Sequence, residues 1–483
     1  MTSILPLPSQ GKPKDQVLAA MREVRQRDVK WQHGKAFSLV YFAGHEVDEL
    51  LKEAYTLFFS ENGLNPSAFP SLRKFETEVV AMTASLLGGD THVAGSMTSG
   101  GTESLLMAVK TARDWSRVHR PEVKLPEIVL PLSAHPAFDK AAEYFDVKVV
   151  RTPLRPDYRA DPVGMQAAIT PQTILLAASA PAYPHGVVDP IREIAQIARE
   201  SNLLFHVDAC VGGFMLPFVR KLGYPVPDFD FSVPGVTSMS ADLHKYAYAA
   251  KPASVVLYRD HELRRHQFFV STDWPGGIYP APTMTGTRPG GSIAAAWAVL
   301  NYLGDKGYLA ITETVMQTVV KIRQGLKDIP GIKILSDPEM SVMALASDKL
   351  NIYDIGDELA LRGWHLDRQQ FPPTLHLTVN YAHAGVADEF LKDLADAVKI
   401  DKQPSFHKVK DRLTLGLVGA AVRLLPSRLV SRLTSRASSL VGVKGSALPQ
   451  RQAAMYGMLG SLPNRGDLKE MVLDLIDKMN SYP

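Results

Sequence analysis

Lys245 closes the run Ser240-Ala-Asp-Leu-His-Lys245, and small and aromatic residues follow it in Tyr246-Ala-Tyr-Ala-Ala-Lys251. A lysine amine condenses with an aldehyde once its site lets it lose a proton. Most lysines are solvated surface charges, so Lys245 carries weight only with companions. The stretch Gly95-Ser-Met-Thr98-Ser99-Gly100-Gly101-Thr102-Glu103-Ser104 runs into an apolar-periodic helix reaching Trp115. Glycines and hydroxyls at a helix start offer N–H groups, side-chain donors and the positive end of the dipole, which together cradle a phosphate. A plain capped turn is the simpler alternative. Asp208 ends the apolar run Leu203-Leu-Phe-His-Val-Asp208, where a buried carboxylate stays ionised beside a cation, or else caps the next turn. His135, in Ser133-Ala-His-Pro-Ala-Phe-Asp-Lys140, offers a flat ring for stacking, or is a surface histidine. A lysine amine, an acid for a ring nitrogen, a phosphate cradle and a stacking ring are what pyridoxal phosphate requires. In this order the four are far stronger than any one. His206 and His244 flank the acid and the lysine and could reach the cofactor phosphate, with hydrogen bonding in the core or a loop as an equal reading.

The elements that must position these residues alternate between residues 127 and 258. Short β-type runs start at Glu127, Val147, Thr173, Leu203 and Ser254, and residues 190–199 read as a crossover helix. That alternation predicts an α/β domain with a mostly parallel sheet, whose ligands bind beyond the carboxyl ends of the strands. Asp208 and the loop after Ala178 fall there. Upstream, helical spacing covers residues 14–32, 46–59 and 71–86, Phe37 to Phe42 reads as a strand or an arm, and Asn62 to Pro70 as a loop. Residues 272–291 read as a long ordered loop before a helix at Ser292, and its Arg288 either meets a phosphate or carboxylate or is solvated. After Gly307 a β, β, α, β, α pattern predicts a smaller α+β domain. The expected division is an N-terminal arm with helices over 1–62, a cofactor-binding α/β domain over 63–306, and a C-terminal α+β domain over 307–483.

Composition narrows the class. The 483 residues are 46% hydrophobic and 21% charged with a formal charge of +3, which fits a globular protein. No dense basic stripe with aromatics points to nucleic acid, and no metal site is expected. A single cysteine, Cys210, excludes an intrachain disulfide framework and fits a reducing compartment. The N-terminus lacks a secretory signal pattern, so a cytoplasmic protein is expected. Residues 408–446 mix leucines and valines with Arg412, Arg423, Arg428, Arg432 and Arg436. They form a basic amphipathic insertion that either packs on the protein's own surface or makes a peripheral contact with anionic lipid.

The combination Thr98-Ser-Gly-Gly-Thr-Glu-Ser, His206-Val-Asp-Ala-Cys-Val-Gly-Gly-Phe214, His244-Lys-Tyr, Thr272-Asp-Trp-Pro-Gly-Gly-Ile-Tyr279 and Gly286-Thr-Arg-Pro-Gly-Gly resembles the sphingosine-1-phosphate lyases. These belong to the group II decarboxylase-like branch of fold-type I pyridoxal phosphate enzymes. The similarity spans most of residues 35–400 and resumes at Ala454-Met-Tyr-Gly-Met458. It implies a retro-aldol cleavage of a phosphorylated sphingoid base to a long-chain aldehyde and phosphoethanolamine. By the resemblance, Lys245 carries the cofactor, with Asp208, His135, Ser99, Gly100, Gly101, Thr102, His206, His244 and Ser179 around it. Lys251 would meet the substrate phosphate, Tyr41 and Tyr279 stand near the reacting centre, and Ser179 and Arg288 are further candidates around phosphates. Asn65, grouped with Lys251 and Arg288 toward the substrate phosphate, occupies a loop position where the family often has histidine, and an asparagine cannot titrate. Two further departures are Ala247, where glycine is usual, and Pro252 after Lys251. The N-terminal membrane anchor of eukaryotic members is not found in the sequence, which fits a soluble, bacterial-type enzyme. The resemblance also implies a homodimer with shared active sites. An amino-acid decarboxylase would use Lys245 and Asp208 identically, and a non-catalytic cofactor-binding scaffold is the remaining alternative.

Overall fold

The computed structural model describes residues 6–38, 40–402, 452, 453, 456 and 465–480. The insertion at 408–446 and the matches at Ala454, Met455, Gly457 and Met458 lie outside the described residues. Three helices lead in: α1 (Lys14–Arg25), α2 (His45–Leu57) and α3 (Pro70–Leu86). The large unit then runs β1 (Ala94–Thr98), α4 (Gly101–His119), β2 (Glu127–Pro131), α5 (Ala137–Phe145), β3 (Lys148–Thr152), α6 (Pro162–Ala167), β4 (Thr173–Ser179), α7 (Ile191–Glu200) and β5 (Leu204–Asp208). It closes with α8 (Leu216–Lys221), β6 (Ser238–Ala241), β7 (Ser254–Tyr258), α9 (His261–Arg265) and a hairpin, β8 (Phe269–Ser271) with β9 (Tyr279–Ala281). After α10 (Gly290–Lys327) come β10 (Lys333–Ile334), β11 (Val342–Ala346), α11 (Ile352–Leu361), β12 (Asp367–Gln369), β13 (Thr374–Thr378), α12 (Ala387–Asp401) and α13 (Arg465–Asn480).

The large sheet has the order β1-β7-β6-β5-β4-β2-β3. Only β7 runs against its neighbours; β1 pairs antiparallel to β7 and therefore shares the direction of β6 and the rest. The expected α/β architecture with a mostly parallel sheet is present. Burial on both faces explains the continuous apolar runs. Ile128, Leu130, Leu175, Ala177, Leu204 and Val256 pack beneath α4 and α5, while Val129, Leu176, Phe205, Val207 and Val255 join the other layer. By the same alternation Ser179, His206 and Asp208 sit on the α4–α5 face.

The second sheet, β10-β11-β13-β12, is wholly antiparallel. The chain from Ala36 to Ser38 lies along it: Phe37 N–H donates to the His365 carbonyl at 3.0 Å, and Thr378 N–H donates to the Phe37 carbonyl at 2.7 Å. The Phe37 ring stacks on His383 with centroids 4.2 Å apart. The arm is thus bound to its own chain's small sheet. Helix α10 continues across residue 306 as one 38-residue element, broken only at Gly304, whose φ of 53° is outside the helical region. One difference from the sequence expectations concerns the loop at 272–291. The stretch includes β9, paired to β8, so the expected loop is partly a hairpin. No helix among the described residues is long and apolar enough to cross a membrane.

Candidate active site

Five strands end at one edge of the large sheet, and the residue at or after each end faces one cavity of about 450 Å³. Thr98 leads to Ser99–Thr102, Pro131 to His135, β4 ends in Ser179, β5 in Asp208, and Ala241 leads to Asp242, His244 and Lys245. The antiparallel β7 starts at that edge, so Lys251 just before it lines the cavity too.

The Lys245 amine lies 2.8 Å from Asp242 Oδ2, and Asp242 is 2% exposed. Burial opposes the ammonium, but Asp242 and then Asp208 outweigh it and raise the Lys245 pKa. Asp208 is fixed at its strand end, accepting from Cys210 N–H at 3.0 Å and from the Ser240 hydroxyl at 3.3 Å. One strand register away, Ser179 pairs with Asp208, and its N–H donates to the buried Asp189 at 2.8 Å. Burial raises the Asp189 carboxyl to about 6, although the N–H donors of Ala160 and Ser179 work the other way. The His135 ring is fixed by Ala137 N–H donating to Nδ1 at 3.1 Å, and burial lowers its pKa, so it presents a neutral flat ring.

The cradle begins where β1 turns into α4. Gly101 touches the floor of the cavity: a Cβ there would stand 2.8 Å from Cys210 Sγ and 2.9 and 3.0 Å from the Asp242 oxygens. The first N–H groups of α4 have no carbonyl partner within the helix and are available to an anion. His244 stands beside Gly100, takes the Ala253 N–H on Nδ1 at 3.2 Å, and is lowered by burial against the pull of Asp242. These features fit pyridoxal phosphate: a buried amine, a buried carboxylate at a strand end, a stackable ring, and a glycine floor that a side chain would fill. Gly101→Ala should therefore cost about 1–3 kcal/mol of packing at the cradle and weaken cofactor binding by roughly tenfold or more. Equilibrium dialysis of cofactor against both proteins measures this.

Lys251, lowered by burial and then by Lys245, and Tyr41, a phenol raised by burial and by Tyr183 and Asp242, line the same cavity. Four residues named from the sequence do not line it in this chain. His206 is fully buried one layer below Asp208, with its Nδ1 2.8 Å from Ser238 and its Nε2 3.2 Å from Ser240. Burial pushes it down to about 4, so it is a neutral support for Ser240 and cannot reach a phosphate. Arg288 is committed to an ion pair with Glu76 of α3 and to the Gly63 carbonyl at 3.0 Å. Asn65 caps its own loop, accepting from Ser67 and Ala68 N–H at 3.0 and 3.2 Å. Tyr279 lies on the β8–β9 hairpin and is 37% exposed.

The cavity also holds residues that sequence reasoning passed over. Tyr183 donates to Asp367 Oδ2 at 2.9 Å and stacks on His376, so the small sheet reaches the site. Asp242 had a visible signal, standing three residues before Lys245; Asp367 had none, since a fold contact alone brings it in.

The chain matches the model of the pyridoxal-dependent decarboxylase conserved domain over residues 3–346. It is 41% identical over 471 residues to the sphingosine-1-phosphate lyase of Oryza sativa subsp. japonica, covering 96% of this chain and 80% of that protein. Against the sphingosine-1-phosphate lyase of Dictyostelium discoideum the identity is 44%, over 89% of this chain and 80% of that protein. The solved structure of sphingosine-1-phosphate lyase from Burkholderia pseudomallei K96243 superposes with a TM-score of 0.80 at 38% identity, covering 88% of this chain and 98% of that one. With the lysine, acid, ring and cradle converging on one sheet edge, the chain belongs to the pyridoxal-dependent decarboxylase family and, within it, to the sphingosine-1-phosphate lyases.

Proposed function

We propose that the protein holds pyridoxal phosphate on Lys245 and cleaves the Cα–Cβ bond of phosphorylated sphingoid bases to a long-chain aldehyde and phosphoethanolamine. The observation that carries this reading is Lys245, Asp208, His135 and the Ser99–Thr102 cradle meeting in one cavity, in a chain this similar to lyases of that name. The cofactor, once joined to the substrate amine, supplies the sink for the electron pair released from the broken bond. The protein's residues do the rest. Asp208 would stand opposite the ring nitrogen as its acid partner, and Ser179 and His135 would hold the ring's edge and face. The cradle takes the cofactor phosphate, with His244 beside it. Lys251 meets the substrate phosphate. Tyr41, whose burial keeps it a neutral phenol, donates a hydrogen bond at the reacting hydroxyl; it does not act as the base.

We also place Tyr279, Asn65 and Arg288 at the cavity of a second copy of this chain in a homodimer. What supports this is the β8–β9 hairpin, where Phe269, Val270, Trp274 and Ile278 are 57%, 56%, 57% and 73% exposed, an apolar patch of the kind that marks an interaction surface. The division at 62/63 and 306/307, a cytoplasmic location and a peripheral lipid contact through 408–446 complete the proposal. The lipid contact rests on the arginines of that segment.

The experiment is product analysis of the loaded enzyme. Incubated with a phosphorylated long-chain base, it should release aldehyde, and incubated with aspartate or glutamate it should release no carbon dioxide above background. Carbon dioxide from the amino acids with no aldehyde from the base would instead assign a decarboxylase.

A further inference from the structure

Glu103, Asp208, Asp242 and Asp367 line this cavity; Glu103 is tied to the Ser99 N–H and Asp367 to Tyr183, which leaves two carboxylates acting on Lys245, and the proposed chemistry employs only Asp208. The second, Asp242, follows the last residue of β6 directly and is held by its own N–H donating to the Cys210 carbonyl at 3.2 Å. The chain then turns so tightly that Lys245 N–H donates to the Asp242 carbonyl at 3.3 Å, bringing the two side chains together at 2.8 Å. The carboxylate cannot swing out: at 2% exposure it is seated against the first turn of α4, in space left by the missing Cβ of Gly101. The positive end of that helix and the Lys245 ammonium both favour its charged form. One oxygen, Oδ1, is buried without a hydrogen-bond partner, so the ammonium on the other side is its main compensation.

We propose that Asp242 is a positioning residue that holds the Lys245 amine in its charged, withdrawn form whenever the lysine carries no cofactor, so that capture of the cofactor requires a proton to be removed from this pair. The inference rests on the reading of Lys245 as the cofactor lysine. Condensation joins Nζ to the aldehyde carbon and expels the carbonyl oxygen as water, and it needs the free amine. Starting from the ammonium, one proton is left over, for solvent or for Asp242 itself.

The other charged and titratable groups facing Lys245 do not cancel this hold. Asp208 adds to it, the Cys210 thiol is kept neutral by burial, and Lys251, which lines the same cavity, opposes it. Tyr183 is a neutral phenol, raised by burial and then by Asp367. His135 and His244 are lowered by burial, so near neutral pH they add no charge. Burial would raise the Asp242 carboxyl, but the Lys245 ammonium at 2.8 Å outweighs it and lowers it, so the proton stays on the amine.

The test follows the growth of visible absorbance when cofactor-free protein is mixed with pyridoxal phosphate from about pH 6 to 9, in the natural protein and in Asp242→Asn. In the natural protein the rate should climb about tenfold per pH unit through the neutral range, as expected for a reactant that is mostly ammonium. Asp242→Asn should react at least about tenfold faster at pH 7, with its profile displaced to lower pH. Identical profiles in the two proteins would overturn the proposal. If the variant does not fold, a flat profile in the natural protein does the same. Failure of the underlying reading looks different: no absorbance in either protein, or the same band in Lys245→Ala.

Discussion

Lys245→Ala is expected to lower turnover of a phosphorylated sphingoid base by on the order of 10³-fold or more, the scale seen when a covalent catalytic group is removed. No other described amine is placed to replace it. Lys251 lines the same cavity, but it comes from the segment before β7 and its proposed task is the substrate phosphate. The alanine variant also strands Asp242, a buried carboxylate whose ammonium partner is gone. Such a loss costs about 3–5 kcal/mol, so the variant should melt lower in its cofactor-free form. Lys245→Arg separates the two effects. It returns a cation to Asp242 and restores much of the melting temperature, while its guanidinium does not condense and turnover stays lost. Thermal melts and aldehyde release measured on both variants check this.

Asp208→Asn should reduce kcat by roughly 10²- to 10³-fold with a smaller change in KM. Asp208 is 8% exposed and tied by the Cys210 N–H and the Ser240 hydroxyl. Asparagine can keep these two hydrogen bonds through its amide oxygen, so the fold is little disturbed and the charge alone is removed. The counter-ion of a protonated ring nitrogen in a buried site is worth about 3–5 kcal/mol when lost, and the lower part of that range, about 3–4 kcal/mol, corresponds to the stated loss in rate. The penalty falls on the step that pushes electrons into the ring, hence on kcat. Steady-state kinetics on the loaded variant, with cofactor content measured by absorbance, distinguish this from simple cofactor loss.

Much of the site is legible in the amino-acid sequence, for a physical reason that differs by residue. Asp208 and Ser179 end apolar runs, and strand ends in a parallel sheet are where ligands bind. The Gly100–Gly101–Thr102 turn gains its meaning from Lys245, Asp208 and His135, because glycine before a helix equally suits a plain cap. Strands β1 and β6 are not legible in this way: Ala94–Thr98 and Ser238–Ala241 are small or hydroxyl residues with a single methionine each, too few apolar positions to set a period. They are strands because neighbours on both sides pair with β6 and because α3 and α4 pack near β1. Arg288 shows the converse case. Its type and glycine-rich setting suit an anion, and within the chain the anion is Glu76, 212 residues earlier. His206 likewise has a suitable ring, but it is one layer too deep. Local sequence indicates which groups are available for chemistry; long-range packing decides whether they face solvent, one another or the cavity.

The most direct test of the proposed reaction is mass spectrometry of the products formed in heavy water. Cleavage of the Cα–Cβ bond leaves an electron pair at the carbon bearing nitrogen, and that carbon must take one proton before release. Phosphoethanolamine carrying one carbon-bound deuterium, in equal amount to the long-chain aldehyde, is the predicted result. Substrate returned with deuterium but uncleaved, or aldehyde formed without labelled phosphoethanolamine, would contradict it.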